Sequence, residues 1–125
     1  MAAVQVKRAT EAPSPADGMR VLVDRRWPPG VGKEAIAVDL WLKEAAPSEA
    51  LRRWYGSDAS RWDGFTERYR AEVESRDGVL RLLRELRRRG PVTLLHAGRD
   101  GSHSNAAALK RIIEAESAAA PGEHP

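Results

Sequence analysis

Residues 20–30 read Arg-Val-Leu-Val-Asp-Arg-Arg-Trp-Pro-Pro-Gly, and this segment carries the clearest signal of the fold class. Residues 21–23 form an uninterrupted apolar run, which is typical of a strand covered on both faces, as in a parallel sheet flanked by helices. The run stops at Asp24, where a loop rich in charge and proline begins. The sequence therefore predicts a strand over residues 20–24 that brings a polar loop to one edge of a sheet.

Two further stretches are predicted to be strands of the same sheet. Residues 4–8 form a short strand near the start, and residues 92–97 have the same continuous apolar character as the central strand. The segment that joins the first two strands is short, so it is compatible with a parallel crossover or with an antiparallel hairpin. We expect an α/β fold, with a small parallel sheet of three or so strands flanked by helices on both faces.

Four helices are predicted from their end signals and apolar periodicity. Ser48 is the expected N-cap of the first helix and Gly56 its end, the second begins near Ser60, and Asp77 is expected to cap the third. The last is expected over residues 103–116. The expected buried faces are Trp62, Phe65, Tyr69 and Val73 in the second helix, Val79, Leu82, Leu83 and Leu86 in the third, and Ala106, Leu109, Ile112 and Ile113 in the last.

The four tryptophans divide into two groups. Trp41, Trp54 and Trp62 are assigned to amphipathic helical segments, where a large aromatic side chain is more often part of the core than a ligand platform. Trp27 differs, because it lies in the polar loop that follows the central strand.

The length of 125 residues predicts one domain, over residues 1–117, and a flexible tail over residues 118–125. The chain contains no cysteine, which excludes disulfides, thiolate metal sites and cysteine nucleophiles. No apolar run approaches the roughly 18 residues of a membrane helix, and the N-terminus lacks the pattern of a signal peptide. We therefore expect a cytoplasmic protein without a membrane partner, and the oligomeric state is left undetermined.

The charge balance does not favour a nucleic-acid partner. The chain has 21 Lys and Arg against 18 Asp and Glu, a net charge of +3, and the acidic residues are interleaved with the basic ones. The arginine-rich run over residues 84–89 falls in the last turns of a predicted helix, where cations interact favourably with the helix dipole. We interpret this run as a solvated face, and nucleic-acid binding stays open as the less favoured reading.

The loops over residues 24–30 and 96–105 are predicted to lie at one edge of the sheet if their strands are parallel. In open α/β sheets, ligands bind beyond the carboxyl ends of the strands. The second loop contains Gly98 and Gly101, which allow a tight turn, and it leads into a helix whose first amides can bind an anion. We therefore predict that the two loops form a polar cleft.

Positive charge in this cleft indicates an anionic ligand. Arg25 is the first candidate for an anion clamp, with Arg26, Arg99 and Lys33 as further positive groups. The alternative for Arg25 is a structural ion pair with Asp24 or Asp39.

Other side chains supply the remaining roles. Trp27 is the candidate for an apolar or stacking wall, and Asn105 for an amide contact at the start of the last helix. Asp24 and His103 are the candidate catalytic groups, since a carboxylate and an imidazole can move a proton. For His103 the alternative is a surface histidine. No metal site is predicted, because the spacing of the histidines matches no strong metal-ligand pattern, and no cofactor is indicated.

The order and spacing of several motifs resemble the YeaO-like proteins, family 488 of the domains of unknown function. The motifs are residues 21–30, Lys33, Asp39-Leu40-Trp41-Leu42-Lys43, Ala46-Pro47-Ser48, Leu51-Arg52-Arg53-Trp54-Tyr55-Gly56, Trp62, Phe65, Tyr69, Val92-Thr93-Leu94-Leu95 and His103-Ser104-Asn105-Ala106. The resemblance covers nearly the whole chain apart from the tail. It implies a small α/β domain with a parallel sheet, and it brings no established reaction.

Departures from the family pattern limit what the resemblance implies. The family typically has Asp-Arg, an apolar residue and then Trp-Pro-Arg-Gly, whereas here Arg26 fills the apolar position and Pro29 replaces the arginine. Longer relatives carry a helix where this chain has only residues 10–18, which supports a shortened parallel crossover. They often carry cysteine near the positions of His96 and Ser104, so thiol chemistry does not transfer to this chain.

These observations together predict a cleft that binds a small ligand bearing a phosphate or carboxylate. They do not indicate which ligand it is or whether a reaction is catalysed. The alternative is a non-catalytic binding module that contacts nucleic acid or an acidic protein through its arginine-rich surface.

Overall fold

The computed structural model describes residues 3–32, 34–98 and 103–123. Within these ranges the chain forms one four-stranded sheet and four α-helices, and the predicted α/β class is confirmed. The strands are β1 (Val4–Arg8), β2 (Met19–Leu22), β3 (Leu40–Trp41) and β4 (Val92–His96), and the helices are α1 (Glu49–Tyr55), α2 (Trp62–Ser75), α3 (Val79–Arg89) and α4 (Asn105–Glu123).

All four strands are parallel, in the spatial order β1-β4-β2-β3. β1 and β2 do not pair with each other, because β4 lies between them, with Leu94 opposite Val6 on one side and Val21 on the other. The connection between β1 and β2 is therefore a parallel crossover. Residues 9–18 are sufficient for it. They must cross two strand spacings, about 10 Å, and return about 13 Å along the sheet from the level of His96 to that of Val92, and a segment of this length can span about 33 Å.

One face of the sheet carries the helical layer. Val21 and Val23 belong, with Leu94, to a core cluster to which all four helices contribute. The stripe predicted for α2 is confirmed as buried, and so is the stripe predicted for α4. These side chains are Trp62, Phe65, Tyr69 and Val73, and Ala106, Leu109, Ile112 and Ile113.

The opposite face is covered by loops, so the expectation of helices on both faces is met on one face within the described residues. Leu22 and Leu95 point to this face, as the alternation of side chains along a strand requires. The segment after β2 contains Pro28, Pro29 and Gly30, which disfavour a helix and allow the loop to fold back over the sheet. Its cluster consists of Ala9, Leu22, Ile36 and Leu95, with the half-buried Trp27, Val31, Val38 and Trp41.

A buried ionic group closes the rest of that face. Asp17 and Arg20 are both almost fully buried, and Arg20 Nη1 lies 2.6 Å from Asp17 Oδ2. Lys7 Nζ donates to the same carboxylate at 3.0 Å. Burial alone would raise the pKa of Asp17, but hydrogen bonds from Lys7, Arg20 and the Ser14 backbone outweigh it, so the pKa lies below its ordinary value. The carboxylate is thus held in its charged form.

The prediction that Trp41 lies on a helix is wrong. Trp41 is in β3, which pairs with β2, and its Nε1 donates to the Asp24 carbonyl at 2.8 Å. A strand of two residues is too short to produce a period of its own, so the sequence pattern around it does not reveal it.

The helix limits also differ from the prediction in places. Gly78, with φ 85°, is the N-cap of α3, and Asp77 does not cap it. Leu80 is buried in place of Leu82, which is 37% exposed. The buried face of α3 consists of Val79, Leu80 and Leu83, and Leu82 lies outside it. α4 is longer than expected and extends to Glu123.

The flexible tail expected over residues 118–125 stays a prediction. Within the described ranges, no helix combines the length and apolar character that crossing a membrane requires.

Candidate functional site

The segments that follow β2 and β4 meet at one rim of the sheet. Because these strands are parallel neighbours, their carboxyl ends lie side by side. The Asp24 Oδ2 atom accepts a hydrogen bond from the Ala97 backbone amide at 2.9 Å, which ties one segment to the other. Asn105, the first residue of α4, donates from Nδ2 to the Val23 carbonyl at 3.0 Å. The described parts of the two predicted loops therefore share an edge.

A pocket of about 450 Å³ opens at this rim. It brings together four of the predicted site residues, Asp24, Arg25, His103 and Asn105. The remaining lining residues are Ala46, Pro47, Arg52, Tyr55, Gly56, Ser57, Phe65, Ala97, Gly98 and Ser104. Polar groups from the sheet edge thus face an aromatic wall from the helical layer.

The aromatic wall is a packed cluster. Tyr55 and Phe65 have ring centroids 4.9 Å apart, and Phe65 stacks on Trp62 at 5.6 Å. His103 packs edge-on against Trp62 with centroids 4.8 Å apart, so the imidazole is positioned at the pocket and is only partly exposed. Ring contacts of this kind fix side-chain orientation as well as burying apolar area.

Arg25 lines the pocket without a carboxylate partner among the described residues. Its Nη2 donates to the Pro47 carbonyl at 3.4 Å, a long hydrogen bond. The two carboxylates proposed as its structural partners are engaged elsewhere. Asp24 accepts from Ala97, and Asp39 Oδ2 accepts from the Arg20 backbone amide at 2.8 Å. The structural ion pair weighed for Arg25 is therefore not formed within the described residues.

Arg52 is a pocket residue that sequence reasoning missed. It lies on α1, and within the described ranges its guanidinium forms no ion pair. The position of α1 is set at its start, where Ser48 Oγ accepts from the Leu51 amide at 3.1 Å and the Ser48 amide donates to Glu72 at 2.8 Å. The available signal was the family motif over residues 51–56, which contains this arginine.

A second hollow of about 480 Å³ adjoins the first. It holds the predicted residues Arg26 and Trp27, which do not line the first pocket. The indole Nε1 of Trp27 donates to the Val31 carbonyl at 2.7 Å, and its ring packs edge-on against Trp41 at 5.4 Å. The hollow is completed by Asp24, Arg25, Pro28, Pro29, Glu49, Arg52, Arg53 and Ala97.

Two predicted ligand-binding residues, Lys33 and Arg99, lie outside the described residues, as do residues 100–102 of the second loop. Their part in the site stays a prediction. Within the described ranges, no three or more His, Asp or Glu side chains are grouped so that they could hold a metal ion.

Tyr69 packs against the pocket residue Phe65, with ring centroids 5.6 Å apart. It is completely buried, and its hydroxyl donates to the Ala45 carbonyl. Burial raises the pKa of Tyr69 well above its ordinary value. The Arg76 guanidinium opposes this rise, the carboxylates of Asp24 and Glu72 add to it, and a hydrogen bond with Asn105 opposes it slightly. The phenol is therefore neutral and serves as a fixed hydrogen-bond donor.

Fold and rim together define a small α/β protein with a polar pocket at the carboxyl edge of a parallel sheet. Comparison with known families identifies it further. A family model described as "Inactive DUF488-N3 subclade" matches residues 3–124, and the chain belongs to this family, DUF488-N3i. The resemblance noted from the motifs is thereby confirmed.

Its relatives are uncharacterized proteins. The chain is 42% identical over 110 residues to proteins of Mycobacterium tuberculosis and Mycobacterium bovis, covering 88% of this chain and 92% of each relative. It is 33% identical over 106 residues to YeaO of Escherichia coli, covering 85% of this chain and 92% of that protein. No solved structure matches the chain.

Proposed function

We propose that the pocket at the sheet edge binds a small ligand bearing a phosphate or carboxylate. One observation carries the proposal: Arg25 and Arg52, from two separate segments, line the same pocket and have no carboxylate partner among the described residues. A guanidinium group offers a planar fork of donors that matches an oxyanion, and two of them at one site favour an anion further.

The size and walls of the pocket describe the rest of the ligand. A volume of about 450 Å³ lies within the range of small-molecule sites and far exceeds the space that a bare phosphate fills. Tyr55 and Phe65 supply an apolar wall. The ligand is therefore an anion attached to an apolar or aromatic group.

We favour binding without turnover. The matched family is described as inactive, and this chain has Pro29 where the family pattern typically has an arginine. The Asp24 carboxylate holds the Ala97 amide, which is a positioning role. Asp24 and His103 both line the pocket, and their role in moving a proton stays a prediction.

The test uses phenyl phosphate and benzoate as probes, with the neutral benzyl alcohol as a control ligand. We expect one molecule of either anion to bind per protein chain. Arg25→Ala and Arg52→Ala should each weaken the binding of the anion about tenfold, which corresponds to about 1.4 kcal/mol. Arg81→Ala on α3 removes the same charge from an exposed site and should bind like wild type. The proposal fails if the two pocket variants bind both anions as tightly as wild type while circular dichroism shows that they are folded.

The arginine-rich face of α3 gives little support to the alternative function, a module that binds nucleic acid or an acidic protein. Arg88 and Arg89 both lie near Glu85, at 3.8 Å and 3.2 Å, so part of this positive charge is neutralised. A nucleic-acid partner bound through many phosphates would lose affinity steeply with salt, whereas the pocket should respond modestly. A salt titration with a short oligonucleotide therefore separates the two readings.

A further inference from the structure

We propose that the ligand is a phosphodiester with a ring-bearing group on each side of its phosphate. This inference rests on the proposed function, since it places the phosphate between Arg25 and Arg52. It adds that the second hollow binds part of the same ligand, so that one substituent of the phosphate enters each hollow.

The two hollows are contiguous parts of one surface. They share Asp24, Arg25, Arg52 and Ala97, which line both and are called the ridge below. A group bound at this ridge touches both spaces, and their volumes, about 450 and 480 Å³, are closely matched. A ligand with one arm would leave one of the two hollows to solvent.

Each hollow presents an aromatic side chain that is held in place. In the first, Tyr55 packs on Phe65 at 4.9 Å. In the second, Trp27 is fixed by its hydrogen bond to Val31 and by edge contact with Trp41, and it is only half-buried. A fixed aromatic ring binds another ring at low entropic cost, through stacked or edge contacts.

The net charge of the residues that line both hollows matches the single charge of a diester. In the second hollow Glu49 lies 3.7 Å from Arg26 and 3.8 Å from Arg53, so one carboxylate offsets both of these arginines in part. At the ridge, Arg25 and Arg52 stand beside the single carboxylate of Asp24, which leaves one net positive charge. A phosphodiester carries one negative charge in its centre, whereas a monoester carries nearly two at one end.

The experiment compares diphenyl phosphate with phenyl phosphate on the intact chain. We expect diphenyl phosphate to bind at least about fivefold more tightly, and its ring protons to give intermolecular nuclear Overhauser effects both to Trp27 and to Tyr55 or Phe65. Phenyl phosphate should give them only to Tyr55 or Phe65. Trp27→Ala should weaken the binding of diphenyl phosphate at least about fivefold and so remove its advantage over phenyl phosphate, whereas the control Arg81→Ala should leave the affinity for both compounds unchanged.

Wild-type protein alone decides the inference if the Trp27 variant does not fold. Equal affinity for the two compounds, with contacts confined to Tyr55 and Phe65, overturns the diester and leaves the proposed anion pocket standing. If the wild-type protein binds neither of the two phosphates nor benzoate, the proposed function is wrong and the inference is wrong with it.

Discussion

The Asp24 carboxylate accepts the backbone amide of Ala97 at 2.9 Å, across 73 positions of sequence. The ladder between β2 and β4 continues only to the Val23 amide, which donates to the Leu95 carbonyl at 3.2 Å. Beyond Val23, the Asp24 side chain accepts the hydrogen bond from β4's continuation that a backbone carbonyl would accept in a regular ladder. The rim of the pocket is therefore held by a residue that also lines it.

Replacing Asp24 by Ala is expected to lower the free energy of unfolding by about 1–3 kcal/mol, because the half-buried Ala97 amide loses its acceptor. Asp24→Asn retains one acceptor oxygen and should recover much of the loss. Urea denaturation measures the stability, and hydrogen exchange at Ala97 reports the bond directly. Unchanged protection of Ala97 in the Ala variant would show that this bond does not hold the rim.

Gly18→Ala is expected to be strongly destabilising. A Cβ at Gly18 would lie 2.1 Å from the Pro91 carbonyl oxygen, the same atom that accepts the Met19 amide at the start of β2. Gly78→Ala is the matched control, since φ there is also positive, at 85°, but a Cβ would meet nothing within 4 Å. The control should cost about 1–2 kcal/mol and Gly18→Ala clearly more, measured by thermal unfolding. Equal losses in the two variants would contradict the close approach.

Tyr69→Phe should cost about 1–3 kcal/mol, because it leaves the buried Ala45 carbonyl without its donor. It should also change the response to alkaline pH. The raised pKa of Tyr69 means that the unfolded chain loses the phenol proton first, near its ordinary pKa of about 10. Wild-type stability therefore falls above pH 10 by up to about 1.4 kcal/mol per pH unit more than that of the variant. Parallel curves for the two proteins would contradict this.

Asp17→Asn should flatten the acid end of the stability curve. The folded pKa of Asp17 lies below its ordinary value because Lys7 and Arg20 donate to the carboxylate. Its contribution to stability is thus present above about pH 4 and is lost as the pH falls through the lowered folded pKa. Unfolding measured from pH 6 to pH 2 should show a smaller decline for the variant than for wild type. An identical decline would show that this buried group does not govern acid unfolding.

Much of the fold follows from local patterns. The run at residues 21–23 identifies β2, and apolar spacing identifies the buried stripe of α2 because each helix turn repeats the same face. β3 is invisible to such reasoning, since two residues carry no period. The loops that cover the second face depend on long-range packing of Trp27 and Ile36 against Leu22, which no local signal encodes.

The candidate site was predictable in part. Parallel strands bring Arg25 and His103 to one rim, and sequence reasoning reaches that placement from the strand ends alone. Arg52 was missed because an arginine on a short helix resembles any solvated residue until the helix is packed. The separation of Arg26 and Trp27 into a neighbouring hollow likewise depends on how the loop folds back over the sheet.

The most direct test of the central claim is the position of a bound anion in a crystal of the protein soaked with 4-bromophenyl phosphate. We expect density for the phosphate between the guanidinium groups of Arg25 and Arg52, and an anomalous bromine peak beside Tyr55 and Phe65. A peak on the arginine-rich face of α3, or no peak at a concentration that saturates binding in solution, would contradict it.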